Sequence, residues 1–89
     1  MLADQDRGTI RELAERYHAT RVLLFGSSTD PDRESRDIDL GVEGVPPHLF
    51  FRLYGELMLR LSKPVDLVDL SHPSKFAALV RAEGIPLDA

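Results

Sequence analysis

The sequence predicts an α/β fold, in which residues 1–89 form one domain with a small sheet of three strands flanked by about four helices. Three short apolar runs rich in valine, leucine and isoleucine are typical of buried strands, and each is bounded by glycine, proline or polar residues. The longer segments around them carry apolar residues at helical spacing. The strands are expected at 22–25, 37–42 and 64–70, and the longer helices at 4–18, 47–61 and 73–84.

The first helix is expected from about Asp4 to His18. Ile10, Leu13 and Tyr17 recur at intervals of three and four residues, and charged side chains occupy much of the remaining surface. A helix with one apolar face of this kind packs against a sheet. Tyr17 and His18 are therefore interpreted as packing and helix-end residues rather than as ligands.

The first strand, 22–25, ends at Gly26 and Ser27. A backbone can approach a ligand closely at a glycine, and serine is a good N-cap. A strand followed by Gly-Ser and a short helix is an arrangement that directs free N–H groups at a phosphate. Gly26 and Ser27 are therefore candidate phosphate-binding residues.

Two aspartates share one face of the second strand. Asp37 and Asp39 alternate with apolar residues, so both carboxylates leave the same face about 7 Å apart. Acids beside a core are costly unless a cation compensates their charge. Because Mg²⁺ prefers oxygen ligands and brings substrate phosphates with it, this pair predicts a magnesium site.

Prolines open the two remaining long helices. Pro47 suits a first helical turn and begins a helix that runs to about Leu61. The last helix follows Pro73, and Gly84 closes it. Both helices are expected to pack on the sheet.

The 47–61 helix has an apolar arc that is wider than one sheet face can cover. Two interpretations stay open: another helix covers the excess, or the arc forms a homo- or hetero-oligomeric interface with Phe51 and Leu59 as anchors. A narrow polar stripe on the same helix is spaced so that it can bridge its own charges. This stripe consists of Arg52, Glu56 and Arg60.

The third strand carries Asp66 and Asp69 on opposite faces, so at most one of them can join the Asp37 and Asp39 pair. Alternation alone permits either Asp66 or Asp69 to be the third carboxylate of the site. Three carboxylates, two metal ions and a phosphate-binding Gly-Ser form a minimal set for two-metal phosphoryl or nucleotidyl transfer. The residues therefore point to a transferase.

Taken together, these motifs resemble the minimal nucleotidyltransferase (MNT) domains of the DNA polymerase β-like superfamily. The resemblance covers about 22–70 and rests on Gly26-Ser27, on 37–40 and on the acidic strand 65–70. The combined motif is specific, although no single piece is. It implies a polymerase β-like core with a small mixed sheet, and transfer of a nucleoside monophosphate from an NTP to a hydroxyl.

The resemblance also implies roles for individual residues. Asp37, Asp39 and Asp66 would be catalytic and would bind two Mg²⁺ ions, and Gly26 and Ser27 would hold the triphosphate of ATP. Many members of the family are encoded beside HEPN-domain toxins, and some adenylylate a tyrosine of the toxin. The expected function is therefore Mg-dependent transfer of AMP to a tyrosine of a HEPN-type partner, with this chain acting as antitoxin.

The loop between Ser27 and Asp37 has nine residues, one fewer than is usual in the family, and its only bases are Arg33 and Arg36. This weak positive charge supports an alternative in which the site is degenerate. The chain would then neutralise its partner by occlusion. A third interpretation is a sensor that binds Mg-ATP without transferring any group.

Composition excludes several classes of protein. The net charge of −4 argues against a long nucleic-acid partner, and the absence of cysteine excludes disulfides and thiol catalysis. No apolar run has membrane-spanning length, and the amino-terminal residues lack the features of a signal peptide. A cytoplasmic location is therefore expected.

Overall fold

The structure, a computed structural model, describes residues 2–30 and 36–87. This part of the chain contains three α-helices, one short 3₁₀ helix and a four-stranded mixed sheet, which confirms the predicted fold class. The elements are α1 (Asp4–Arg16), β1 (Arg21–Phe25), the 3₁₀ helix (Gly26–Thr29), β2 (Ile38–Glu43), α2 (Pro47–Arg60), β3 (Val65–Asp69), α3 (Lys75–Glu83) and β4 (Ile85–Pro86).

The strands lie in the order β3-β2-β1-β4. β2 pairs antiparallel with β1 and parallel with β3, so Leu40 lies between Leu24 and Leu67. The three-strand prediction missed β4, which pairs antiparallel with β1 and is only two residues long. A strand this short has no periodicity that a sequence pattern could reveal.

Side chains alternate across the sheet and divide the interior into two cores. The larger core lies between one face of the sheet and helices α1 and α2, and Leu13, Leu40 and Leu53 are fully buried in it. Full burial of one such side chain contributes about 1.5–3 kcal/mol. A smaller core joins the other face to α3 through Leu23, Leu70 and neighbouring residues. The site described below lies on this second face.

Gly41 permits close packing on the α3 side. A Cβ at this position of β2 would lie 2.5 Å from Leu70 Cδ1, which is closer than two carbon atoms can approach. The missing side chain therefore leaves space for Leu70, which is fully buried. This explains a glycine in the interior of a central strand, where it otherwise weakens the structure.

The helix ends agree with the predicted positions to within a few residues. α1 stops at Arg16, and His18 adopts a left-handed backbone conformation with φ of 65°. α3 begins at Lys75, two residues after Pro73, because the Ser74 hydroxyl caps it by accepting from the Ala77 N–H at 2.9 Å. Gly84 ends α3 as predicted.

The polar stripe of α2 pairs with α1 and not with itself. Glu12 and Arg60 lie 2.5 Å apart, and Arg16 and Glu56 lie 3.3 Å apart. The Tyr17 hydroxyl also donates to Glu56. The spacing would allow the stripe to bridge its own charges, but Glu56 and Arg60 pair with α1 instead, because the larger core brings α1 alongside α2. Exposed ion pairs of this kind contribute little to the stability of a fold.

Asp6 connects α1 to the turn before β3. Its carboxylate is buried and accepts hydrogen bonds from the Ser62 N–H, at 3.0 Å, and from the Ser62 hydroxyl. These two bonds compensate the burial of a charged group.

Within the described residues, no helix combines the length and apolarity that crossing a bilayer requires.

Replacement of Asp6 by alanine should lower the free energy of unfolding by about 1–3 kcal/mol, because it removes two hydrogen bonds to a buried carboxylate. The expected fall in melting temperature is about 4–8 °C per kcal/mol. Asp4→Ala is the matched control, since Asp4 is an exposed acid in the same helical turn. Equal losses of stability in both variants would show that Asp6 stabilises the fold only through its charge near the helix N-terminus.

Candidate active site

The candidate site lies where β1 ends and where β2 and β3 begin. Because β1 is antiparallel to β2 and β3 is parallel to it, these three strand ends meet at one edge of the sheet. Phe25, Asp39 and Asp66 form one row across the strands, as successive Cα partners. Directly paired residues project from the same face, so these three side chains share the face covered by α3.

Asp39 lies at the centre of the site and is half-buried. Burial raises the pKa of its carboxyl, and the negative charges of Asp66 and Asp37 raise it further. Asp37 is exposed and directly precedes β2, so the prediction that it lies within the strand was off by one residue. The structure thus brings all three predicted carboxylates close enough to interact electrostatically.

Asp69 does not join this group. It pairs with Val42 at the far end of β3 and therefore lies on the face opposite Asp66. One of its carboxylate oxygens accepts from the Ser71 N–H at 2.9 Å, and the other lies 3.9 Å from His72 Nε2. Of the two acids that alternation left open, the fold places Asp66 beside Asp39 and uses Asp69 in a turn.

Gly26 lies against the carboxylate of Asp39. Its φ of 67° is left-handed, and a Cβ at this position would lie 2.6 Å from Asp39 Oδ2. Both the backbone conformation and the space therefore require glycine. Gly26 begins the 3₁₀ helix, and Ser27 is exposed within it. A short helix was expected after Gly-Ser, and the observed one begins at Gly26 and contains both residues.

Ser28 is a positioning residue that the sequence does not indicate. Its buried hydroxyl donates to the Asp37 carbonyl and accepts from the Asp39 N–H, both at 3.0 Å. It thereby fixes the start of β2 relative to the 3₁₀ helix. The only sequence signal is a second serine after Gly-Ser, and nothing in its spacing indicates a partner eleven residues away.

The predicted loop lies partly outside the described residues. Arg33 falls within 31–35, which the structure does not describe, whereas Arg36 is described and exposed. A cavity of about 50 Å³ lies between Ser28, Asp37 and Lys63 and has room for only a few water molecules. A larger groove of about 360 Å³ adjoins Gly26 on the side of α3.

The donors at this site are those that hard cations prefer. Among the described residues, no three acidic or histidine side chains are gathered closely enough to hold a metal by themselves. Mg²⁺ does not require such a cage, because it is commonly bound by one or two carboxylates together with waters and substrate phosphates. Asp37 and Asp39 fit that pattern, and a cation would offset both the burial and the repulsion that raise the pKa of Asp39.

Comparison with known proteins gives matches among solved structures. No protein-family model and no curated protein matches this chain. One solved structure, assigned as a minimal nucleotidyltransferase, is 32% identical with a TM-score of 0.71, and the match covers 90% of this chain and 87% of that one.

Two further structures are toxin–antitoxin complexes. One contains AMP-PNP and matches with 25% identity and a TM-score of 0.73, over 91% of this chain and 71% of that one. The other is a tri-AMPylated HEPN toxin from Shewanella oneidensis in complex with its MNT antitoxin. It matches with 25% identity and a TM-score of 0.69, over 92% of this chain and 68% of that one.

The raised pKa of Asp39 predicts a pH-dependent effect of Asp39→Asn. The Asp39 carboxyl has a higher pKa in the folded chain than in the unfolded chain. Its negative charge therefore destabilises the fold at pH values above the raised pKa. Below about pH 3.8, the ordinary aspartate value, the carboxyl is protonated in both states and the effect is absent. The variant should therefore melt at a higher temperature than wild type at pH 7. The difference should shrink as the pH falls toward 3.8. Thermal melts at several pH values test this, and a lower melting temperature at pH 7 would show that the Asp39 carboxylate is structurally required.

Gly26→Ala should destabilise the chain by about 1–2 kcal/mol, because a left-handed backbone is unfavourable for residues with a Cβ. It should also displace the Asp39 carboxylate, which the new Cβ would contact. Gly55→Ala is the matched control. A Cβ at this position of α2 meets no atom within 4 Å, so the substitution should stabilise the helix by up to about 1 kcal/mol. Chemical denaturation measures the free energy of unfolding of both variants. Equal stability of Gly26→Ala and wild type would show that alanine fits this backbone conformation without strain.

Proposed function

Because this chain belongs to the minimal nucleotidyltransferases, we propose that it transfers AMP from ATP to a hydroxyl group of a protein partner. One observation carries the proposal. Asp39 and Asp66 are paired in the sheet, Asp37 interacts with Asp39, and the Gly26 backbone lies against the Asp39 carboxylate. An acidic cluster and the Gly26 turn therefore lie at the same end of the sheet.

The carboxylates have different parts in the proposed reaction. Asp37 and Asp39 would hold Mg²⁺, and bound Mg²⁺ would neutralise the triphosphate and lower the pKa of a coordinated hydroxyl. Asp66 is exposed beside them, so it can accept the proton of an attacking hydroxyl. The oxygen of that hydroxyl would form a bond to the α-phosphorus of ATP, and pyrophosphate would leave.

Gly26 and Ser27 would bind the triphosphate. The left-handed glycine turns the backbone at the end of β1, beside Asp39. Ser28 keeps this turn and the start of β2 in a fixed relation through its two hydrogen bonds. Phosphates and carboxylates repel each other, so Mg²⁺ between them is an essential part of the proposal.

The proposed acceptor is a tyrosine of a HEPN-type toxin. A structurally similar complex contains an AMPylated HEPN toxin with its MNT antitoxin, and a similar toxin–antitoxin structure contains AMP-PNP. Another similar structure has two aspartates replaced by glutamate, at the spacing of Asp37 and Asp39. We place the reaction in the cytoplasm, with AMP transfer inactivating the toxin, so that this chain acts as an antitoxin.

The outer face of α2 is the proposed surface for this partner. Phe51 and Leu59 are 78% and 86% exposed, and Met58 is also exposed on the same side. α1 covers a different part of α2, through the ion pairs described above. Phe51 and Leu59 therefore lie outside the core, and contact with a partner would bury both.

The second candidate is an antitoxin that acts by occlusion, with a site that no longer catalyses transfer. The specific observation in its favour is the loop between Ser27 and Asp37, which has nine residues and only Arg33 and Arg36 as bases. Occlusion would require the α2 surface but neither nucleotide nor metal.

Intact-mass spectrometry of the purified HEPN-type partner distinguishes the two candidates. After incubation with this chain, ATP and Mg²⁺, the partner should gain mass in steps of one AMP. The Asp37→Asn/Asp39→Asn double variant should give no gain. No gain with wild type, together with a stable complex, would favour occlusion.

A matched pair of single variants tests the role of the third carboxylate. Asp66→Asn should slow transfer by about 10²-fold or more, which is typical of a lost general base. Asp69→Asn should leave the rate near wild type, since Asp69 lies on the other face of the same strand. The opposite ranking would assign the role to Asp69.

A further inference from the structure

The groove beside Gly26 has no part in the chemistry described so far. It has a volume of about 360 Å³ and is lined by residues from β1, the 3₁₀ helix and α3. Phe25, which lies opposite Asp39 in the sheet, forms part of its wall. The groove therefore begins at the proposed phosphate-binding turn and extends away from the three carboxylates toward α3.

The groove wall is aromatic and apolar. The Phe25 and Phe76 rings pack edge to face, with centroids 5.7 Å apart and planes at 80°. Phe76 is 48% exposed and Leu79 is 53% exposed, so both present apolar surface to the groove. An edge-to-face pair leaves part of a ring face open, and a flat apolar group can stack there.

From this geometry we propose that the groove binds the base of the nucleotide, and that it favours a purine. The inference rests on the proposed nucleotidyl transfer, and it assigns Phe25 and Phe76 as the residues that contact the base. A base must lie within the length of one nucleotide from its phosphates, and Phe25 directly precedes Gly26 in the chain. A two-ring purine covers more of an aromatic wall than a single-ring pyrimidine does.

Charge also determines which part of a nucleotide fits here. Among the described residues that line the groove, the only charged side chain is Glu83, and its carboxylate disfavours a phosphate. A base is uncharged, and its amino or ring N–H groups can donate a hydrogen bond to a carboxylate. The volume is also in the range of small-molecule sites and is small for an element of a protein partner.

Stacking on an aromatic side chain contributes substantially to the binding of a base. Loss of the Phe76 ring should therefore weaken ATP binding by about fivefold to a hundredfold. Inorganic tripolyphosphate has no base, so its affinity should not change. Phe76→Leu is the informative variant, because it keeps an apolar side chain at a half-exposed position while it removes the flat ring.

Because the chain contains no tryptophan, the fluorescence of a tryptophan introduced at the groove reports on the groove alone. In the presence of Mg²⁺, ATP should quench the fluorescence of Phe76→Trp, and UTP should quench it less at equal concentration. Phe51→Trp is the matched control, since Phe51 is an exposed phenylalanine of α2 that does not line the groove. Its fluorescence should not respond to ATP.

Calorimetry with ATP and with tripolyphosphate separates failure of this inference from failure of the proposed function. Weaker ATP binding and unchanged tripolyphosphate binding in Phe76→Leu would support the inference. If wild type binds ATP, but Phe76→Leu binds it equally well and Phe76→Trp is not quenched, the base lies elsewhere and the inference is overturned while the transferase proposal stands. If wild type binds neither ligand, both are overturned.

Discussion

Three carboxylates lie together at one end of the sheet, and electrostatic repulsion opposes that arrangement. Asp39 is half-buried between the charges of Asp37 and Asp66, so its pKa is raised. The cluster persists because the strand register holds it, and the register depends on apolar burial on the opposite face, where Leu40 lies between Leu24 and Leu67. The larger core thus stabilises a site that would not be stable by itself.

The two faces of the sheet are covered to different extents. α1 and α2 cover one face with most of the buried leucines, and the ion pairs between them lie at the edge of that core. α3 covers only part of the other face, through a core of a few residues. The Gly26 turn and the acidic row lie at the edge of that face, where Asp66 is exposed and Asp39 is half-buried.

Two surfaces then connect the fold to the proposed chemistry. The groove at Phe25 and Phe76 adjoins the site directly, whereas the exposed side of α2 with Phe51 and Leu59 is carried by the opposite face of the sheet. The base of the nucleotide would contact the groove. The protein partner would contact the exposed side of α2 and would also have to present its tyrosine at the carboxylates on the other face.

The sequence by itself determined the features that are local along the chain. A continuous apolar run identified β1, and alternation identified β2 and β3. Helical spacing identified α1 and α2, Pro73 and Gly84 bounded α3, and the Asp37 and Asp39 pair followed from a short-range pattern. Only the tertiary structure decided which elements meet. It placed Asp66 and not Asp69 beside Asp39, gave the Ser28 hydroxyl its partners, turned the charges of α2 toward α1 and added β4 to the sheet. Each of these depends on contacts between segments far apart in sequence, and residue spacing carries no information about such contacts.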